Sequence, residues 1–396
     1  MTYLRYSGCA IALIAGLGSA AVAADAGSCT QVKNPGARDL CLTARGEYSK
    51  KHYKLALGML QQALLQSPKE GAIRVEAARA MLQLDGEAQA ERELRQARQD
   101  GAREQDALPL LFDAMLDKHE EIILLNEFPD PAPDAKGEVA AATLQGRARA
   151  LRAAARIAEA AAAMDRALSL KRTPYGLLVR ADIASDQGDA ALTRRLINEA
   201  YWMAPDNSEI LSRELEQLVL ANDMARVISL ADRMQKLYPA SSVPMESRAA
   251  VYLKRNLDAK AKAEVDDFLA MRPKSPAMMY YKAVLMWRAH DTRGASEIIM
   301  SLPGSFTNAH PGFAVQMARI VQDDGHDEVA SSILGKAMAA APDLLDVRLL
   351  LAALRLQQDS PQSAMLVLTP VQESRDPRVQ SLISQARARI AKDRAF

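Results

Sequence analysis

The sequence predicts an all-α solenoid, a row of helix pairs stacked one on the next. Three observations point there. Pro205, Pro239 and Pro273 stand thirty-four residues apart, and the residues between them recur at the same step, as in Ala181, Leu215 and Ala249 or Ile197, Ala231 and Val265. A fixed period of this length marks a repeat array. Alanine is abundant and glycine (19) is modest, which favours helix because alanine has the best helix propensity. Few β-branched runs alternate at period two, so nothing suggests a sheet.

The chain has 396 residues, 49% hydrophobic, enough to bury a large core. Its net charge of +1 supplies no field that would draw nucleic acid.

Residues 1–24 read as a cleaved secretory signal: Arg5, an apolar run from Ile11, then small residues ending at Ala23 and Ala24. The run falls short of the roughly 20 apolar residues of a membrane span. Export to the periplasm or beyond is expected, with lipidation disfavoured because Cys29 lacks a lipobox. Cleavage removes Cys9 and leaves Cys29 and Cys41, a disulfide candidate in an exported protein, with two free thiols as the alternative.

Residues 25–37 are expected to be extended. Helix pairs follow at 38–48 with 52–66, 72–84 with 87–99, and 108–116 with 119–128, so that repeat units occupy 38–128. Pro129, Pro131 and Pro133 break the pattern over 129–137, since prolines so close together stop any helix. Pairs resume at 139–153 with 156–170, 174–186 with 189–203, 207–221 with 223–237 and 242–255 with 258–271. They continue at 276–290 with 292–301, 311–323 with 326–340 and 344–358 with 360–373, filling 138–376. The last segment, 377–396, holds an amphipathic helix with Val379, Leu382, Ile383, Ala386 and Ile390 on one side, suited to cap the stack.

Two small residues twelve apart recur in nearly every unit. The first is Ala44, Ala78, Ala148, Ala181, Ala249, Ala283, Ala318 or Ala352; the second is Ala56, Ala90, Ala160, Ala261, Ala295, Ala330 or Ala364. Small side chains at a crossing let two antiparallel helices approach closely. A larger apolar residue follows four positions later, such as Leu60, Leu94, Met164 or Ile197, and fills the space between units.

This pattern resembles the tetratricopeptide repeat (TPR) over about residues 38–376, with the third unit degenerate. The resemblance implies a right-handed superhelix whose first helices line a concave groove. A narrower likeness lies in Leu108-Pro-Leu-Leu-Phe-Asp-Ala-Met-Leu with Glu120-Glu-Ile-Ile following. It is similar to the long exported TPR proteins of exosortase/PEP-CTERM exopolysaccharide systems, and would imply work on surface polysaccharide or sorted surface proteins.

No nucleophile elbow, phosphate loop or HExxH is present, and the five histidines are scattered, so no enzyme, metal site or cofactor is expected. In TPR-like units the groove positions lie one, four and five residues after the first small residue, and three and six before it. They include Arg38, Arg45, Arg79, Gln145, Arg149, Arg152, Tyr175, Glu216, Tyr280, Trp287, Arg288 and Arg319. Arginine and aromatic side chains carry much of the energy of interfaces. Arg147, Arg149, Arg152, Arg156, Arg166, Lys171 and Arg172 form a basic cluster with few acidic neighbours in sequence, open to an acidic partner. The expected partners are proteins of the envelope or export machinery, with anionic polysaccharide as the alternative ligand. No nucleic acid is expected, and membrane only through partners.

Overall fold

The structure, a computed structural model, describes residues 28–393. The predicted signal segment and residues 25–27 lie outside these residues; the rest of the stretch expected to be extended, 25–37, instead holds a 3₁₀ turn at Ser28–Gln31 and the start of a helix at Pro35. Among the described residues there are 22 α-helices and no strand. They divide into two compact units, which part between Glu214 and Leu215.

The first unit begins with a 3₁₀ turn, Ser28–Gln31, followed by helix pairs. These are α1 (Pro35–Ser49) with α2 (Tyr53–Gln66), α3 (Gly71–Leu82) with α4 (Glu87–Gln99), and α5 (Glu104–Asp117) with α6 (Glu121–Glu127). Next come α7 (Gly137–Ala153) with α8 (Ile157–Leu170), then α9 (Pro174–Asp186) with α10 (Ala190–Met203). Residues 208–214 of α11 (Ser208–Leu220) close this unit.

The second unit holds the rest of α11, α12 (Met224–Leu237), α13 (Val243–Lys254) with α14 (Asp258–Met271), and α15 (Pro276–Arg288) with α16 (Thr292–Ser301). A short helix α17 (Gly304–Ala309) intervenes before α18 (Ala314–Asp323) with α19 (Asp327–Ala340) and α20 (Leu345–Gln357) with α21 (Pro361–Leu368). The chain ends in α22 (Pro377–Asp393). Val379, Ile383 and Ala386 of α22 are buried on Leu349, Ala352, Leu368, Leu356 and Ala364, so this helix covers the end of the stack.

The alanines do what close packing requires. Ala44, Ala78, Ala148, Ala249, Ala283, Ala318 and Ala352 are fully buried, as are Ala56, Ala90, Ala160, Ala261, Ala295, Ala330 and Ala364. Thr193 fills the second slot of its pair and satisfies its hydroxyl on the carbonyl of Asp189 at 2.9 Å. The third pair departs from the rule for a visible reason. Phe112 and Leu124 stand where the two alanines should be, both buried. Gly146 of α7 makes room for the Phe112 ring, for a Cβ there would lie 2.2 Å from the ring's Cδ2. Phe128 closes the gap edge-on, with ring centroids 4.8 Å apart.

Each pair turns from its first helix to its second through one left-handed residue, seven positions after the first small slot. These are Lys51, Asp85, His119, Ala155, Gly188, Asn222, Asn256, His290, Gly325 and Asp359. Two of the five histidines thus serve as turn residues.

Several boundaries differ from expectation, among them the helix expected at 360–373, which stops at Leu368 and passes into a 3₁₀ turn, Thr369–Val371. α1 starts at Pro35, because Asn34 caps it, its side chain accepting from the Ala37 amide at 3.2 Å. α5 starts at Glu104 and carries Pro109 inside it. The proline forfeits one backbone bond in a helix that is otherwise buried on neighbours. α17 is an additional element, made after the ten-residue α16, and the helix expected at 311–323 begins with a 3₁₀ turn, Pro311–Phe313, before α18 starts at Ala314.

Candidate functional site

The exposed side of the first helices in the first unit is a network of paired charges. Arg45 of α1 and Arg79 of α3 converge on Glu76, each at 3.3 Å. Glu76 is only 4% exposed and also accepts a bond from the Ser28 hydroxyl. Two arginines and a hydroxyl are what make a buried carboxylate tolerable there. Close by, Cys29 and Cys41 are joined in a disulfide, Cα atoms 5.6 Å apart, which ties the N-terminal turn to α1.

Further along, Arg149 of α7 bonds Asp113 of α5 and lies 5.9 Å from the centroid of the Tyr175 ring on α9, in cation–π range. Burial pushes the Tyr175 hydroxyl up to about 12, with Arg149 pulling the other way. Burial also works against the Arg149 charge, but Asp113 and then Tyr175 more than offset it and hold the guanidinium above its ordinary range. Arg152 reaches Asp186 at 2.5 Å and Asp182 at 3.3 Å. Arg213 meets Asp182 at 2.9 Å from α11. Gln145 is half-buried on the same helix as Arg149.

Burial raises the carboxyls of Asp117, Asp182 and Glu209 above the usual range. Repulsion from Asp113 adds to the effect at Asp117, while Arg149 opposes it; Arg213 opposes it at Asp182 and Glu209. These acids obey the same positional rule that selects the arginines. Asp182 and Asp186 lie one and five residues after Ala181, Glu209 six before Leu215, and Asp113 and Asp117 one and five after Phe112. They were legible in the sequence and are missed only when arginines and aromatics alone are sought.

The second unit treats its candidates differently. Tyr280 is 6% exposed, stacked on Phe313 at 4.4 Å and beside Phe306. The segment around α17 covers it, so it is core and does not face an open groove. Arg288 donates to the Leu253 carbonyl at 3.1 Å and pairs with Asp258 at 2.6 Å. It thereby caps the end of α13 and is committed to structure. Trp287 donates its indole N–H to Asp323 at 2.8 Å, and Arg319 is exposed.

The basic cluster is not a free patch. Arg147 donates to the carbonyls of Leu125, at 2.9 Å, and Phe128. Arg166 holds Asp130 at 2.8 Å and the Pro131 carbonyl at 2.8 Å, fastening the proline-rich break. Arg156 pairs with Glu159, Lys171 with Glu138 and Arg172 with Glu199. The acids are remote in sequence or on the next turn, and folding brings them to the bases. Among the described residues no group of three His, Cys, Asp or Glu side chains is placed to hold a metal ion.

No family model matches the chain, and no curated protein does. Among solved structures it aligns with yeast Tom70 at a TM-score of 0.50 and 14% identity, over 89% of this chain and 88% of that one. A tetratricopeptide repeat protein from Parabacteroides merdae aligns at 0.40 and 12% identity, over 80% of this chain and 98% of its own. PilF of Pseudomonas aeruginosa aligns at 0.38 and 16% identity, over 54% and 97%. Identities this low speak to fold alone. The paired helices, the small residues at both crossings and the match to Tom70 agree: the chain has the tetratricopeptide-repeat fold.

Proposed function

We propose that the protein is an exported, non-enzymatic scaffold that holds partner proteins against its first-helix faces, in envelope assembly or exopolysaccharide export. The observation that carries the reading is the division of labour within each pair. Small residues pack the helices together, while the first helices of residues 28–214 present large charged and aromatic side chains held in fixed positions by one another. Fixed side chains lose little freedom on binding, which favours recognition. The Arg5 to Ala24 stretch supports export, and a disulfide between Cys29 and Cys41 fits an oxidising compartment. A glycan-binding module is the second reading. It is less favoured, because Arg149 and Arg152 already hold carboxylates and would have to release them to take an anionic sugar.

In-cell photo-crosslinking from Gln145 and Arg319, with identification of what is captured, tests this. Envelope proteins should be captured, and Arg149→Glu with Trp287→Ala should change the captured set. Capture of cytoplasmic proteins alone removes the export reading. An unchanged set in the double variant removes the first-helix faces as the binding surface.

A further inference from the structure

The first-helix face formed by α5, α7, α9 and the start of α11 carries five carboxylates, Asp113, Asp117, Asp182, Asp186 and Glu209. Three guanidinium groups answer them: Arg149, Arg152 and Arg213. Asp113, Asp182 and Asp186 are taken up in ion pairs. Asp117 and Glu209 have no ion pair, although both feel the charge of Arg149. The arginines are thus saturated and the acids are not. What this face lacks is positive charge.

We propose that this face docks a protein segment bearing lysine or arginine, whose cationic side chains settle beside Asp117 and Glu209 across the Arg149–Tyr175 pair. The inference rests on the scaffold reading and names the chemistry of the partner. Glu209, half-buried, gains more from an incoming cation than a fully hydrated carboxylate does, because the attraction acts where water is scarcer, while the exposed Asp117 adds a second attraction that salt screens. The half-exposed edge of the Tyr175 ring, beside the Arg149 guanidinium, adds apolar surface against which a lysine stem can lie. An anionic ligand meets the opposite conditions, with no free cation to receive it and two unpaired carboxylates to repel it.

The test uses the purified full chain and three labelled probes: a peptide of alternating lysine and serine, the same peptide with glutamate for lysine, and oligogalacturonate. Fluorescence anisotropy should show the lysine peptide binding best, with affinity falling as salt rises from about 50 to 300 mM. Asp117→Asn with Glu209→Gln should weaken it by about tenfold or more. The isosteric amides break no ion pair, so the melting temperature should hold, and lost binding cannot then be ascribed to unfolding. Independently of any substitution, affinity in the unaltered protein should drop as pH falls from 7 to 4 and the raised carboxyls take up protons. The inference is overturned if the glutamate peptide or oligogalacturonate binds as well as the lysine peptide. It is equally overturned if the double variant binds within about twofold of the original at unchanged melting temperature. Either result leaves the scaffold reading standing. That reading falls separately, if the crosslinked set ignores every change on the first-helix faces.

Discussion

At the scale of single residues, two positions in the first unit set backbone and packing against each other. Gly146 lies mid-helix, where alanine would ordinarily stabilise by about 1 kcal/mol. Here a Cβ would collide with the buried Phe112 ring. Overpacking costs about 1–3 kcal/mol, so Gly146→Ala should destabilise the first unit by about 1 kcal/mol in spite of its better propensity. Urea titration followed by far-UV circular dichroism measures it, and a stabilised variant would contradict the packing account. Ala155 is the converse case. It sits at φ 58 in an exposed turn where most other pairs use Gly, Asn, Asp or His. The left-handed region costs an L-residue with a Cβ about 1–2 kcal/mol, so Ala155→Gly should stabilise by about 1 kcal/mol once the extra freedom of glycine in the unfolded chain is subtracted. A lowered midpoint in the same titration would refute this.

At the scale of elements, α17 and its 3₁₀ turn show how a repeat absorbs an insertion. His310 ends α17, buried, with its Nδ1 lacking a hydrogen-bond partner and its ring between Phe306 and Phe313. Burial pushes its pKa down, and no charged neighbour contributes. In the unfolded chain the imidazole takes up a proton below about pH 6.5, while in the folded chain it resists. Stability is therefore fully present above about pH 6.5 and falls as pH drops below it, by at most about 1.4 kcal/mol per pH unit until the folded pKa is reached. His310→Phe keeps the ring stack and should flatten that decline. Thermal melts at pH 7.5 and 5, read from Trp287 fluorescence in a Trp202→Phe background, decide the point; equal slopes in both proteins would remove His310 as the cause. The repeat itself was readable because Ala44, Ala78 and their counterparts recur in step and packing demands small residues there. α17 was not, since Phe306, His310 and Phe313 occupy no repeat position and Tyr280 matches the groove rule by position alone. The charge network was half readable: spacing yields both signs, but which acid meets which base depends on neighbouring helices. The spacing shows Glu76 three residues before Arg79 on one helix, but not its burial, because its other partners Arg45 and Ser28 come from outside that helix.

At the scale of the whole molecule, stability in a stack is a sum of local terms, so one change need not be felt everywhere. The disulfide closes a loop at the start of the first unit, which in the chain-entropy model contributes about 3 kcal/mol. Trp287 lies in the second unit. In a Trp202→Phe background, which leaves Trp287 as the one tryptophan, Cys29→Ser with Cys41→Ser should lower the midpoint seen by circular dichroism and leave the Trp287 transition where it was. A common shift in both signals would mean that the two units unfold as one.

Composition marks residues 129–137 as a linker, and linkers are where proteases enter and where chains are cut into fragments. Arg166 alters that expectation. Its guanidinium holds the Asp130 carboxylate and the backbone carbonyls of Pro131 and Ala132. A protease needs several residues drawn out into an extended strand before it can cleave. With Asp130 and two carbonyls anchored to α8, and Arg147 of α7 also within 4.0 Å of Asp130, the segment resists being drawn out until these contacts let go. The stretch least able to form helix is thus guarded against digestion by residues up to thirty-six positions downstream, and the susceptibility of the chain to nicking is set by α7 and α8.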